Sequence, residues 1–459
     1  MTGIRTVAAV NVAKAAGLAT RALRRGSGTA LPGLVALWLD PGVVGALGRQ
    51  LAGGRVLVTG TNGKTTTSRL LAAMLDAAGR PYLHNREGSN LVRGFASTLA
   101  GRADALGRIP GGARMMGIFE TDEATFPAAV RALDPTVMVV TNLFRDQLDR
   151  YGEVETVAGL WREGLGAASR SATLVLNADD PSVAALAEGW GGRVHWYGLD
   201  DPALHREEVG AFDARWCSCG GDFTYTRRYF AHVGWWRCSG CGRGRPVTDT
   251  TGRSVQLELA GARWEVDGLG KVAMRLTGLY NVGNALAAVA AGRVAGLEAE
   301  AIRRGLGHAR AAFGRQEVVR LEGRELWLLL TKNPAGANQV LLLLAQAAGD
   351  GIAVAGLLND RFADGQDVSW TWDVDYELLA GRVGKCWVGG DRAEDLALRL
   401  DYAGWPSPLA VERDAGRLLD AVLAATVPGE RVFVLPTYTA LLDLRAELKR
   451  RGAVRSALE

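Results

Sequence analysis

The sequence predicts an α/β protein. A central domain with a parallel sheet and a phosphate-binding loop carries a small cysteine-bearing insert, and a second α/β domain follows. Three observations predict this. Arg55-Val56-Leu57-Val58-Thr59 is a short apolar run, Gly60-Thr61-Asn62-Gly63-Lys64 a glycine-bearing turn, and the next segment has apolar residues at helical spacing. Continuous apolar runs alternate with helical patterns on both sides of the insert, as in strands buried on both faces of a helix-covered sheet. Four of the five cysteines fall between Cys217 and Cys241.

The elements follow in chain order. Residues 1–50 read as an N-terminal helical segment broken by GSGTALPG. Residues 51–313 form the central domain, with strand-like runs RVLVTG, MGIFET, TVMVVTN, ATLVLN and RVHWYG. The insert occupies about 212–248, and short strands and the long helical pattern YNVGNALAAVAAGRVAGL come after it. A Phe313-Gly314-Arg315 turn marks a hinge. Residues 314–459 form the second domain, with runs ELWLLLT, IAVAGLLND, KCWVGG and RVFVLPT. There is no internal repeat or long linker.

Composition narrows the function. A chain of 459 residues with 48% hydrophobic and 22% charged residues can bury a large core in two or three domains. The net charge of +4, with no long basic block, argues against a nucleic-acid partner. No run of 18 apolar, uncharged residues is present, so no transmembrane segment is predicted. The N-terminal stretch has its basic residues after the apolar part, which suits an amphipathic helix better than a signal peptide. Arg21, Arg24 and Arg25 either touch an anionic membrane surface or form a solvated helix end. Clustered cysteines point to metal rather than disulfides, and to a reducing cytoplasm.

The strand ends carry the chemistry. Backbone N–H groups of Gly60, Thr61, Asn62 and Gly63, with Lys64, Thr65 and Thr66 opening a helix, suit nucleotide phosphates. Lys64 is one of only six lysines among 53 basic residues. Val58 stands where the strict phosphate-loop pattern has its first glycine. Glu120 ends a strand and, with Thr65, is a natural Mg²⁺ ligand. Thr141, Asn142, Asp146 and Asp149 follow TVMVV, and Asn177, Asp179 and Asp180 follow ATLVL. For Asp122 and Asp180 a helix N-cap is the better reading. Cys217 and Cys219, then Cys238 and Cys241, supply four thiolates for one structural Zn²⁺. His232 either replaces one of them or sits at the surface or in the core. Cys386, in an apolar run, reads as a core thiol.

These residues resemble the Mur ligases. The resemblance rests on GTNGKTTT, the strand-end Glu120, TN-x3-D-x-L-D, NADDP, GLYNVGNALAA and the FGR turn. It implies a Mur ligase-like P-loop domain and a Rossmann-like C-terminal domain. It also implies carboxylate activation by ATP to an acyl phosphate, followed by attack of an amine. Asn142, Asn177, Asn281, Asn284 and Arg315 join the loop as nucleotide-binding residues on the same ground. More narrowly, HNREGSN, the cysteine insert, KNPAGANQ at 332–339, LNDRFADGQDVSWTWD at 358–373 and LPTYTALLDL resemble the MurT family of ligase-like subunits.

That resemblance implies ATP-dependent amidation of the D-glutamate α-carboxylate in the lipid II stem peptide, giving D-isoglutamine. The ammonia would come from a GatD-type glutamine amidotransferase partner. It implies a cytoplasmic enzyme, peripheral to the inner membrane face. It also implies that Asp367 completes the partner's Cys–His pair; from the residues alone, Asp360, Asp364 and Asp373 stay open. The chain departs from general Mur ligases in having no Lys between Lys64 and Lys271, Gln147 in the D-H-L-D motif and Tyr280 in G-x-H-N. One Mg²⁺ held by Thr65 and Glu120 is therefore the simpler expectation. A folylpolyglutamate-type ligase and a nucleotide-gated nucleic-acid module are the alternatives.

Overall fold

Strand β1 (Arg55–Thr59) shows why the apolar runs are continuous. Val56 and Val58 enter one core cluster and Leu57 enters another on the opposite face. Side chains alternate across a strand, so a strand covered on both sides needs apolar residues at every position. The structure is a computed structural model that describes residues 3–22, 30–85, 89–145, 154–207, 214, 217–309 and 315–454.

Around β1 lie β2 (Tyr82–His84), β3 (Met116–Glu120), β4 (Val137–Val140), β5 (Thr173–Asn177) and β6 (Arg193–Leu199). After a hairpin of β7 (Phe223–Phe230) and β8 (Val233–Cys238) come β9 (Thr250–Glu258), β10 (Gly261–Val266) and β11 (Gly270–Met274). They form a nine-stranded sheet in the order β11-β10-β9-β6-β5-β4-β1-β3-β2. The strands from β2 to β9 in that order run parallel, while β10 and β11 add an antiparallel edge. β7 and β8 stand apart as a two-stranded ribbon.

One face of the sheet is covered by helices Lys64–Ala77 and Leu279–Val294. The second of these is buried almost all round, which its run of alanines permits, since small side chains let strands and helices approach closely. The other face carries helices Val92–Arg102, Phe126–Leu133 and Val154–Ala167, with the N-terminal helices Ile4–Ala22 and Ala30–Leu39 outside them.

The second sheet comprises β12 (Arg315–Leu321), β13 (Arg324–Leu329), β14 (Ile352–Leu357), β15 (Val383–Gly389), β16 (Val411–Glu412) and β17 (Arg431–Pro436). Its order is β12-β13-β17-β14-β15-β16, and only β12 runs antiparallel. Short β2, β12 and β16 lie outside the apolar runs read from the sequence. The first two sit on or beside open edges with mixed exposure, and the third has two residues. Among the described residues, no helix is long and apolar enough to cross a membrane.

Candidate active site

The turn after β1 has the shape its glycines dictate. Gly60 has φ +135° and Gly63 φ +88°, where side chains are strained. A Cβ on Gly60 would lie 2.0 Å from Thr141 Oγ1, and one on Gly63 would lie 1.9 Å from Asn284 Oδ1. The helix then begins at Lys64 with its first N–H groups directed into the loop.

Segment 141–144 after β4 holds this loop from beneath. The Thr61 N–H donates to the Asn142 carbonyl at 3.0 Å, and the Asn62 N–H donates to Asn142 Oδ1 at 2.9 Å. Asn142 Nδ2 returns a bond to the Asn62 carbonyl at 3.0 Å, and Thr141 Oγ1 reaches the same carbonyl at 2.7 Å. Thr61 Oγ1 and Phe144 exchange two further bonds. Asn142 thus lines the cleft and commits its amide to the loop.

Lys64 Nζ lies 2.8 Å from Glu123 Oε1 and donates to the Gly60 carbonyl at 2.6 Å. Glu123 is only 4% exposed. Burial pushes its carboxyl up, and the Lys64 charge opposes that shift. Lys332, from the second domain, also acts on Glu123 electrostatically. The sequence reading missed Glu123 and Lys332. Their only sequence signals are a third acid in ETDEATF and a lysine in a lysine-poor chain.

Thr65 Oγ1 donates to Glu120 Oε1 at 2.9 Å, so a hydroxyl and a strand-end carboxylate meet at one point. Two hard oxygen donors beside a phosphate loop fit Mg²⁺. Thr66 is buried in the helix. Asn177 donates to the Thr141 carbonyl at 3.0 Å and accepts from the Asp179 N–H at 3.0 Å, on the cleft wall. Asn284 faces Gly63, and its amide donates to Asn281 Oδ1 at 3.2 Å. Asn281 is turned toward the Thr277 carbonyl, 2.8 Å away, and orients Asn284 from behind. Asp146, Asp149 and the Arg315 side chain lie outside the described residues.

Asn62, Gly63, Asn142, Asn177 and Asn284 border a cleft of about 1060 Å³, open mouth included, between the two domains, and Lys64, Thr65 and Glu120 lie behind the loop rather than on the cleft lining. Leu329, Lys332 and Val340 contribute from the second domain, and Phe230 and Val233 from the ribbon. The domains meet directly where Asn333 Nδ2 lies 3.3 Å from Asn62 Oδ1 and Arg145 Nη2 lies 2.7 Å from Asp373 Oδ2.

The four ribbon cysteines converge. Their sulfurs all lie within 4.8 Å of one another, with Cys217–Cys241 at 3.8 Å and Cys219–Cys238 at 3.5 Å. Zn–S bonds of about 2.3 Å in a tetrahedron require S···S edges near ~3.8 Å, so the set fits a structural Zn²⁺. The Cys241 N–H, donating to Cys238 Sγ, leads the groups that draw that thiol down to about 6. His232 is fully buried, 3.4 Å from Asp180 Oδ2, and belongs to the core rather than the cysteine set. Asp180 N-caps the helix Pro181–Ala184. Cys386 is fully buried, and burial pushes its thiol up to about 12, as suits a core residue.

The structure separates the four acids of segment 358–373. Asp360 pairs with Arg392 at 3.1 Å and Asp373 with Arg145. Asp364 is buried and accepts from the Thr439 N–H at 2.8 Å. Asp367 is exposed, and hydrogen bonds from Ser369 hold its carboxyl below the usual range.

Comparison with known proteins gives these features a family. Residues 58–216 match the Mur ligase middle domain, and residues 330–441 match the MurT ligase C-terminal domain. A crystal structure of MurF from Acinetobacter baumannii superposes with a TM-score of 0.65 at 18% identity, covering 92% of this chain and 80% of that one. A phosphate loop on a parallel sheet, facing a second α/β domain across a cleft, is the Mur ligase arrangement, and the chain belongs to the Mur ligases. It is 33% identical to the lipid II isoglutaminyl synthase subunit MurT of Streptococcus pneumoniae, over 95% of each chain. It is 33% identical to MurT of Staphylococcus aureus strain N315, over 97% of this chain and 98% of that one. Within the Mur ligases, the chain belongs to the MurT family.

Proposed function

We propose that this chain is the ligase subunit of a glutamine-hydrolysing lipid II isoglutaminyl synthase. ATP transfers its terminal phosphoryl group to the α-carboxylate of D-glutamate in the lipid II stem peptide. Ammonia attacks the acyl phosphate, the C–O bond to phosphate breaks, and the amide of D-isoglutamine remains. The observation that carries this reading is a part-buried phosphate-loop lysine and a Thr65–Glu120 oxygen pair next to a loop whose Asn62 and Gly63 line a two-domain cleft, in a chain similar to MurT over 95% of its length.

Gly60 to Thr66 hold the phosphates, with Lys64 neutralising the transferred charge. Thr65 and Glu120 hold one Mg²⁺, which supplies charge neutralisation at the phosphates. Asn142, Asn177, Asn281, Asn284 and Arg315 complete the nucleotide site, Asn142 by bonding the loop, Asn177 by bonding the Thr141 carbonyl beneath it and Asn281 by accepting from the Asn284 amide. Cys217, Cys219, Cys238 and Cys241 hold one structural Zn²⁺.

A GatD-type glutaminase supplies ammonia, and Asp367 orients and charges the catalytic His of that partner. Support comes from its exposure and low-lying carboxyl, while its three neighbours are paired or buried.

The complex works in the cytoplasm against the membrane that carries its substrate. Residues 1–39 contain five Lys/Arg and no Asp or Glu. Ile4, Leu18, Leu31, Leu34 and Trp38 are exposed on the two N-terminal helices, Trp38 at 82%. An apolar face with surplus cations suits an anionic bilayer. The full chain should sediment with phosphatidylglycerol vesicles and not with phosphatidylcholine vesicles, and Trp38→Ser with Leu34→Ser should release it. A wild-type chain left in the supernatant would remove the membrane assignment.

Amidation of lipid II by the chain with its glutaminase partner tests the whole reading. Product is expected with glutamine and ATP, and with ammonium chloride and ATP when the partner is omitted. Failure with both nitrogen sources would reject the activity.

A further inference from the structure

The ribbon has two ends with different surroundings. Cys217, Cys219, Cys238 and Cys241 lie together at one end of the β7–β8 hairpin. The turn at Ala231–His232 is the other end, and an eight-residue strand between them spans roughly 25 Å. The turn end is docked on the ends of β5 and β6. The Gly234 N–H donates to the Asp179 carbonyl at 2.9 Å, and Trp236 Nε1 donates to the Ala178 carbonyl at 3.0 Å. Trp235 Nε1 and Tyr229 Oη both donate to the Leu199 carbonyl at 3.0 Å.

From this anchorage the turn reaches the cleft. Phe230 and Val233 line the cleft that Asn62, Gly63 and Asn284 border at the phosphate loop. The Phe230 ring stacks toward Phe144, with centroids 6.1 Å apart and planes at 27°. The buried His232 ring lies 4.6 Å from Phe144 on the segment that holds the loop. Phe144, Phe230 and Val233 thus give the cleft an apolar wall near the phosphate loop, and two of the three are delivered by the hairpin that the cysteines close.

We infer that Phe230 contacts the adenine of the bound nucleotide, and that metal at the four cysteines sustains nucleotide affinity by holding this hairpin against the cleft. The inference rests on the reading above, in which the cleft takes ATP and the cysteines hold Zn²⁺. A phosphate loop grips any triphosphate, so it cannot select a base, whereas an aromatic wall gives the base a stacking partner. A two-stranded hairpin is marginal alone. Four thiolates clamped on one ion at its open end give it the rigidity such a wall needs.

The test is calorimetric binding of two Mg²⁺-loaded probes, AMP-PNP and inorganic tripolyphosphate, to the full chain. Phe230→Ala should retain about one zinc per chain and weaken AMP-PNP about tenfold, as expected for a lost base–aromatic stack, while tripolyphosphate binding stays unchanged. Removing zinc with a chelator should weaken AMP-PNP at least as much, and adding Zn²⁺ back should restore it. Should the zinc-free chain unfold, Phe230→Ala still decides the base contact. Equal loss of both probes would mean general disruption and overturn the assignment, as would wild-type affinity in Phe230→Ala. Unchanged affinity in a folded, zinc-free chain would overturn the metal coupling. A wild-type chain that binds neither probe would instead defeat the ATP reading on which this one rests.

Discussion

The two domains present their functional segments in opposite ways. In the first, the polar groups at the strand ends are buried or part-buried and bonded to each other. Lys64 sits on Glu123, Thr65 on Glu120, and Asn142 on the loop backbone. In the second, segment 358–373 turns outward. Phe362 and Trp372 are exposed on either side of Asp367, whose hydrogen bonds leave it at the surface. Groups buried with each other are pre-organised for a small ligand entering a cleft. Groups displayed among exposed aromatics are useful only to something that covers them. On the function proposed above, the contrast is a division of labour: one domain would complete its own site, and the other would offer a residue to the partner's.

The largest expected effect tests the outward-facing half. Asp367→Asn keeps size and hydrogen bonding but removes the charge. Glutamine-dependent amidation should fall about 10⁴-fold, the scale of such a change in a comparable triad, while amidation from ammonium chloride should persist. Equal loss with both donors would put Asp367 in the ligase site and dissolve the contrast. The inward-facing half should respond without regard to the nitrogen source. Lys64→Ala should reduce amidation ~10²-fold or more with either donor. Glu120→Ala should follow, with at most partial rescue by excess Mg²⁺.

Stability supplies a third, smaller effect. Lys64→Ala strands the buried Glu123 carboxylate, and breaking a buried pair costs about 3 kcal/mol. Adding Glu123→Gln should restore most of the melting temperature lost and none of the activity. Calorimetry and amidation measured on both variants would separate the two roles of Lys64. If Lys64→Ala melts like wild type, the pair is not structural.

The same contrast explains what the sequence could tell. The loop at 60–66 and the cysteine knuckles were legible because their chemistry is local, held in contiguous or short-spaced residues. Apolar runs gave the buried strands because both faces need cover. Glu123 was missed because its meaning lies in Lys64, 59 residues earlier in the chain. Lys332 and Phe230 were missed because the cleft wall is assembled from the second domain and the ribbon turn, which no spacing rule brings together. The four acids near Asp367 could not be ranked from residue type. Their difference is three-dimensional: two are paired with arginines on other segments and one is buried against Thr439.

The smallest expected effect sits where the two domains touch. Arg145 and Asp373 pair at 2.7 Å with side chains 33% and 41% exposed, so solvent screens them and the pair is worth about 1 kcal/mol or less. Arg145→Ala, Asp373→Ala and the double variant form a cycle whose coupling energy should stay under that figure, with amidation changed less than about threefold by RT arithmetic on a fraction of it. The experiment matters more than its size. Asp373 belongs to the outward segment yet is tied back to the loop-bearing domain, so it is the acid best placed to blur the division drawn above. If Asp373→Ala lost glutamine-dependent amidation selectively, as Asp367→Asn is expected to, the residue serving the partner would have been misassigned. If it lowered both nitrogen sources alike and strongly, domain closure rather than the partner would depend on it. A weak, donor-independent change leaves Asp373 as a tether at the cleft mouth and Asp367 as the residue turned outward.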